Sequence, residues 1–310
     1  MTTTASSSKG LPLHDGDDLE RIQSFEAFIA QDKFDEVEPQ LLTYLAGHRD
    51  SWRAHYIQGY VLLRQRKVGD SIRELARSLE LNVDNPEGHK ILGKDFVIIG
   101  KYDYAQTELQ QAVRLKPESA EIHYSLGEVY SSRDLFPEAK LEFSTAIQRD
   151  STYAEAYNAL GFTEESLGND SAALEAYEKA IRVADQKGFK FDAPYINLGA
   201  YYNRLGKPDL ALQYAKKAIE LNSKSDLGYY QVARAYESRN EWEEAAEALR
   251  NASSINPTGA QYYYVLGQVY RKLGKVKESL AALDTFQKLK REAELVDSQM
   301  RDARGVSASD

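Results

Sequence analysis

The residues best suited to chemistry are three histidines at an even spacing. His55, His89 and His123 follow one another at intervals of 34 residues. An imidazole can ligate a metal or move a proton near neutral pH, so such a row suggests a metal centre. Geometry opposes it. A recurrence of this length places the rings in successive stacked helix pairs, about 10 Å apart as packed helices are. Zinc needs its ligands about 2 Å away, and one ion cannot bridge rings so placed. The three are expected to be packing residues with a satisfied ring nitrogen.

Other chemistry is equally thin. The chain contains no cysteine, which excludes disulfides, thiolate zinc sites and cysteine nucleophiles. The acidic runs Asp15–Asp18 and Glu241–Glu244 lack the spacing of a calcium loop. They read as a solvated N-terminus and a helix start favoured by the dipole. No phosphate loop, Gly-x-Ser-x-Gly or His-Glu-x-x-His pattern occurs. The short sequons at Asn169 and Asn251 can arise by chance. No catalytic, cofactor-binding or metal residue is assigned, and a non-enzymatic chain without a cofactor is expected.

The elements that must carry these residues are helices. In 86–119, apolar or small residues fall at His89, Leu92, Gly93 and Phe96, then at Ala105, Leu109 and Ala112. Spacings of three and four mark two amphipathic helices. Gly100 between them suits a left-handed cap, and Pro117 stops the second. The pattern returns along the chain. A small residue recurs as Gly59, Gly93, Gly127, Gly161, Gly199, Ala233 and Gly267, where close approach of paired helices demands it. Ala105, Ala139, Ala173, Ala211 and Ala245 answer from the second helices, with Ser71 and Ser279 as substitutes. Gly100, Asp134, Gly168, Gly206, Asn240 and Gly274 occupy the turns, being types that tolerate positive φ. A helix pair of this size exposes more apolar surface than it can cover alone, so copies must stack.

A period of 34 with Leu-Gly, Tyr, Ala, Ala and Pro at fixed places resembles the tetratricopeptide repeat family. The resemblance covers about 18–287 and implies an all-α, right-handed superhelical solenoid of antiparallel helix pairs, about eight repeats in all. The expected organisation is a disordered lead over 1–16 and a degenerate capping repeat over 17–51. Seven repeats follow over 52–85, 86–119, 120–153, 154–191, 192–225, 226–259 and 260–287. A capping helix extension and frayed tail fill 288–310. One step is longer than the rest. Its extra residues fall near 183–191, where an added helical turn and a loop at Gly188 fit. That stretch reads either as a tolerated loop extension or as a projection of Phe189 and Phe191 toward a partner. After Gly267 helix is expected to continue to about Met300, as a cap or as a short dimer seam.

The resemblance also implies that the first helix of each pair lines the concave side. The inward places hold Tyr56, Tyr60, Lys90, Lys94, Tyr124, Glu128, Asn158, Phe162, Tyr230, Arg234 and Tyr264. Asn197 and Arg271 extend the same row. Tyrosine suits binding because it offers large area at little rotamer entropy. Some family members clamp two carboxylates with Lys, Asn, Asn, Lys and Arg. Here Asn197 matches one place, but Phe162, Leu227 and Gln231 occupy others, so that activity is not carried over. The inward row is acidic at Glu87, Glu121, Glu128, Glu155 and Glu165, and basic toward Arg204, Arg234, Arg271 and Lys272.

The expected function is a non-enzymatic protein-interaction scaffold that holds an extended peptide or protein segment in its groove. Two alternatives are an assembly factor of a bacterial envelope complex, such as a pilus or secretion machine, and a non-catalytic enzyme subunit. The 310 residues carry a formal net charge of −9, which argues against nucleic acid, since phosphate contacts need a basic surface. No apolar run reaches the roughly 18 residues a membrane span needs, and the first ten residues lack a signal's apolar core. The compartment is then cytoplasmic, or periplasmic if a signal has been removed. A monomer is expected, with a homodimer through the C-terminal helix as the other possibility.

Overall fold

The computed structural model describes residues 17–303, with side chains described as far as Val296. The expected lead over 1–16 and the end of the expected tail lie outside the described residues. Among the described residues the chain forms sixteen helices and no strand. They are α1 (Leu19–Ala30), α2 (Phe34–Gly47), α3 (Trp52–Arg64), α4 (Val68–Leu81), α5 (Pro86–Ile98), α6 (Tyr102–Leu115), α7 (Ala120–Ser132) and α8 (Phe136–Arg149). There follow α9 (Ala154–Ser166), α10 (Asp170–Lys187), α11 (Ala193–Arg204), α12 (Pro208–Leu221), α13 (Asp226–Ser238), α14 (Trp242–Ile255), α15 (Ala260–Lys272) and α16 (Val276–Ala303). The chain divides into two compact units, with the boundary after Ala156.

Local chemistry sets the helix ends. Asp18, Ser51, Asn85, Ser119 and Ser225 each cap a first helix, accepting from the backbone N–H three residues on. This satisfies one of the orphan donors of the first turn. The reversal between helices takes one left-handed residue. Gly100, Asp134, Gly168, Gly206, Asn240 and Gly274 adopt positive φ, as their types suggest. Asp32 and Arg66 do so too, and an arginine is not a residue type that points to this conformation.

In the first unit each second helix packs back on its own first helix, and α2, α4 and α6 pack also on the first helix that follows. Ile22, Phe25, Val37, Leu41, Ile57 and Val61 bury one apolar cluster. Leu75, Leu79, Ile91 and Leu92 form the next, and Ala105, Leu109, Leu126 and Val129 a third. Phe25 fills the place that later copies give to glycine, and its ring stands edge-on to Tyr44 at 5.6 Å. The glycines are there for space. A Cβ on Gly93 would lie 2.7 Å from the Leu109 side chain, and one on Gly127 2.6 Å from Phe143.

The second unit repeats the plan with a larger share of alanine in its core. Ala211, Ala215, Ala233, Ala245, Leu249, Ala252, Tyr262 and Leu266 share one cluster. Helix α10 has 18 residues and ends at Gly188 with φ 71°, whereas its counterparts α8 and α12 have 14. The longer step in the sequence is therefore one added turn and a left-handed cap. Phe189 is exposed, and its ring lies 5.8 Å from that of Phe191. Helix α16 runs to Ala303 over 28 residues. It is half-buried at Phe286 and Leu289, and every residue from Lys290 to Val296 is exposed. Its covering of the preceding pair therefore stops at Leu289.

Candidate interaction surfaces

In the first unit the inward places lie on α3, α5 and α7. Tyr56 and Tyr60 are half-buried on α3, and Tyr60 meets Phe34 edge-on at 6.2 Å. Burial, with the nearby Glu87 charge, pushes the Tyr56 phenol above its usual range. Lys90 is buried on α5, with only 8% of its surface exposed. Its ammonium bridges Glu87 at 2.6 Å and Glu121 of α7 at 2.8 Å. Lys94 joins Glu121 at 3.2 Å, and Lys116 joins Glu87 at 3.0 Å. Burial opposes the charge on Lys90, but the two carboxylates outweigh it and hold the ammonium above its usual range. Burial likewise works to raise Glu87 and Glu121, and their lysines pull both below the usual carboxylate range. Lys90 is thus a clasp between α5 and α7 and not an open contact residue. Tyr124 on α7 packs 5.7 Å from Phe143 and 5.0 Å from Tyr153. Its phenol is raised by burial first and then by the charge and hydrogen bond of Glu128.

In the second unit, Asn197 Nδ2 donates to Asn158 Oδ1 at 2.9 Å, tying α11 to α9. Phe162 and Tyr264 are exposed by 47% and 45%. Tyr264 also lies 5.2 Å from Phe286. Between α11 and α13 a recess of about 320 Å³ is lined by Ala200, Asn203, Arg204, Tyr230, Gln231, Arg234 and Ser238. Asn203 Nδ2 donates to the Gln231 carbonyl at 2.9 Å and to Gln231 Oε1 at 3.1 Å. Its own Oδ1 is buried without a hydrogen-bond donor. Arg234 pairs with Glu237 at 2.8 Å, a carboxyl that burial raises despite the arginine. Arg204 pairs with Glu165 at 3.1 Å and Asp170 at 3.6 Å. Tyr230 and Arg234 therefore share one recess. Arg271 is exposed on α15 and does not line it. The sequence did not single out Asn203; its only signal is an amide four residues after the packing glycine Gly199.

The histidines make a second arrangement. His55 Nδ1 lies 2.6 Å from Glu74 Oε2, and its Nε2 lies 3.0 Å from the Arg49 carbonyl. His89 repeats this with Glu108 at 2.6 Å and the Val83 carbonyl at 2.9 Å. His123 does so with Glu142 at 2.6 Å and the Pro117 carbonyl at 3.1 Å. Each ring is satisfied at both nitrogens, one more than expected. Each partner carboxylate follows its histidine by 19 residues, a recurrence present in the sequence. Among the described residues no group of three or more metal-ligating side chains occurs, and no helix is long and apolar enough to cross a membrane.

Comparison with known proteins agrees with this architecture. Sequence profiles described as "TPR repeat" match 93–132 and 233–274. Profiles described as "Tetratricopeptide repeat" match 23–86, and then 154–187, 193–225 and 260–292. The TPR repeat-containing protein BH2049 of Halalkalibacterium halodurans is 28% identical over 85 residues, which is 27% of this chain and 38% of that protein. The chain thus spans well under half the length of the curated relatives it matches, 38% of one and 28% of another. The crystal structure of MamA is 32% identical and aligns over 54% of this chain and 95% of its own, with a TM-score of 0.47. A tetratricopeptide repeat protein from Parabacteroides merdae is 15% identical and covers 84% of this chain and 98% of its own, with a TM-score of 0.64. The paired helices, the spaced glycines and the profile matches agree. The chain belongs to the tetratricopeptide repeat family, whose repeats are protein–protein interaction scaffolds.

Proposed function

We propose that this scaffold holds an extended protein segment on the first-helix face of its second unit, with a carboxylate of that segment at Arg234. The recess between α11 and α13 carries the reading. Its volume of about 320 Å³ suits one or two side chains of a ligand and not a folded domain. Tyr230 offers a flat apolar wall with a polar tip. The Arg234 and Arg204 guanidiniums offer forks that match carboxylate geometry. The buried Asn203 Oδ1 lacks a donor, and an extended segment brings backbone N–H groups that can supply one. Phe162 and Tyr264 continue the row as exposed rings. Asn158 and Asn197 belong to the same row of the second unit; Tyr56, Tyr60, Tyr124 and Glu128 stand at corresponding places of the first, where Lys90 and Lys94 pair with Glu121.

A displayed library of random twelve-residue peptides, half of them ending in Asp or Glu, tests this directly. Enriched sequences should carry an acidic residue beside an aromatic or aliphatic one. Arg234→Glu should weaken their binding by about tenfold or more and flatten its salt dependence. Tyr230→Ala should weaken binding without changing the salt slope. Selected peptides that bind Arg234→Glu and Tyr230→Ala as tightly as the parent would place the site elsewhere.

A further inference from the structure

The three histidine–glutamate contacts of the first unit constrain where protons are. A backbone carbonyl only accepts, so each Nε2 that faces one must carry hydrogen. Each Nδ1 faces a carboxylate oxygen at 2.6 Å. With a bare Nδ1, two lone pairs would meet at that distance, so a proton lies between ring and carboxylate. Every pair therefore holds one proton more than a neutral histidine beside a carboxylate would. The pairs join α3 to α4, α5 to α6 and α7 to α8, one in each full helix pair of the unit. The second unit has nothing of the kind. The chain's five histidines all precede residue 124, and the corresponding places downstream hold Tyr157, Tyr195, Tyr229 and Tyr263.

We propose that these three pairs are proton-held clasps, and that loss of the protons at His55 and His123 above neutral pH loosens the first unit ahead of the second. The groups around each ring set the direction. For His55, burial works against the charge, while Glu74 and the Arg49 carbonyl outweigh it and Arg77 of α4 opposes them, leaving the ring above its usual range. For His123, the Glu142 bond leads, burial and Arg149 of α8 oppose, and the Pro117 carbonyl assists, again raising the ring. His89 faces Glu108 of α6 and the Val83 carbonyl in the same geometry. A group whose folded value is raised contributes its full stability below the free value of about 6.5. That contribution disappears as pH climbs through the folded value. Among the other titrating groups of this unit, Asp95 stands at about 6, so most of its titration is over below pH 7. Burial raises the Glu128 carboxyl above its usual range, and, against burial, two carboxylates hold the Lys90 ammonium above its own. The buried phenols of Tyr56, Tyr124 and Tyr153 are pushed upward, away from the window.

The protein carries its own reporters. Of its two tryptophans, Trp52 is buried on α3 beside the first clasp and Trp242 lies on α14 of the second unit. Urea unfolding of the full chain is followed by fluorescence between pH 6.5 and 9, once in Trp242→Phe and once in Trp52→Phe. The Trp52 midpoint should fall by about 0.5 M or more as pH rises, while the Trp242 midpoint stays level. The triple variant His55→Gln, His89→Gln, His123→Gln should abolish the fall. If it does not fold, His123→Gln alone should reduce the fall by about half, on the additivity of separated sites. Nitrogen-15 spectra of the wild-type rings at pH 7 should show both nitrogens of His55 and His123 protonated or sharing a proton. Equal pH dependence at both tryptophans, an unchanged fall in the glutamine variants, or a neutral single tautomer at pH 7 would each overturn the proposal.

Discussion

The two units of this chain solve one packing problem differently. Near the start of a first helix, where its second helix passes it, the early copies set a histidine against a glutamate. The later copies set a tyrosine against a small or aromatic residue, as in Tyr157 with Ala176, Tyr229 with Ala248, and Tyr195 with Tyr214. The ionic solution fills its space with two partners that satisfy one another. The apolar solution leaves room when the partner is alanine. A recess of about 460 Å³ lies at Tyr157 and Ala176, and one of about 290 Å³ at Tyr229 and Ala248. Where Tyr214 takes the place, its ring stands 6.4 Å from Tyr195 and stacks on Tyr202 at 5.4 Å. One backbone crossing therefore tolerates an ion pair or an aromatic ring. The first choice makes stability depend on protons, and the second leaves the surface notched.

Changes at the packing glycines should have the largest effect, and they differ from one glycine to the next. Gly93→Leu drives a side chain into Leu109, already 2.7 Å from an ideal Cβ, and should cost about 3 kcal/mol. Gly199 is different, because its ideal Cβ meets Ala215 at an ordinary 3.4 Å. Urea midpoints for Gly93→Leu and Gly199→Ala should move in opposite directions, and an unchanged midpoint for the first would remove the spacing argument.

Asp95 gives the next largest effect. It is fully buried where other copies have Val61 and Val129. Ser71 Oγ lies 2.5 Å from its Oδ2 and 2.8 Å from the Gly59 carbonyl, while its Oδ1 lacks a partner. A hydroxyl has one hydrogen to donate, so a protonated Asp95 fits this chain best. Burial accordingly raises its carboxyl from 3.8 to about 6 despite the serine. The folded state binds this proton more tightly than the unfolded one. Its stabilising contribution is therefore present below the unfolded value and is lost as pH rises through about 6. Asp95→Val should stabilise the first unit by about 2 kcal/mol at pH 8, with the gain shrinking toward pH 4. A gain that is the same at both pH values would show that the carboxyl is not the cause.

Smaller effects follow at the helix faces and turns. Gly199→Ala should stabilise the second unit by up to about 1 kcal/mol, since alanine favours helix and has room. Arg66 adopts φ 62° in the first unit, where the matching turn of the second unit has Gly206 at φ 64°. Arg66→Gly should gain about 0.5–1 kcal/mol by relieving the left-handed strain. Thermal melts of the two variants resolve shifts of this size, and a loss at position 66 would mean that the arginine side chain contributes more than its backbone costs.

The fold was largely legible because close approach leaves marks in composition. A helix crossing that admits only glycine or alanine must show one there every 34 residues, and a left-handed turn must mostly choose Gly, Asn or Asp. The extra turn of α10 could be placed because Gly188 ended it. What stayed hidden depended on distances across the stack. Lys90 stands at an inward place and reads as a contact residue, yet Glu87 and Glu121 enclose it. Arg204 reads as open positive charge, yet Glu165 answers it from a repeat away. Glu74, Glu108 and Glu142 sit among other acidic residues on polar helix faces. Only the stacked structure shows that each lies under a histidine ring. Arg66 escaped because its residue type argues against the conformation it adopts.

Helix α16 has a practical consequence. Its stretch from Lys290 to Val296 is exposed at every position, and the chain lacks cysteine altogether. A single cysteine introduced at Arg291 or Glu294 is then the chain's sole thiol, at a site where substitution disturbs little buried surface. A dye or spin label attached there by ordinary thiol chemistry would ride on a helical lever with a rise of about 1.5 Å per residue. Moving the attachment point by one position changes both its reach and, by about 100°, its heading. The same stretch thus serves as a graduated ruler for distances to any partner the scaffold captures.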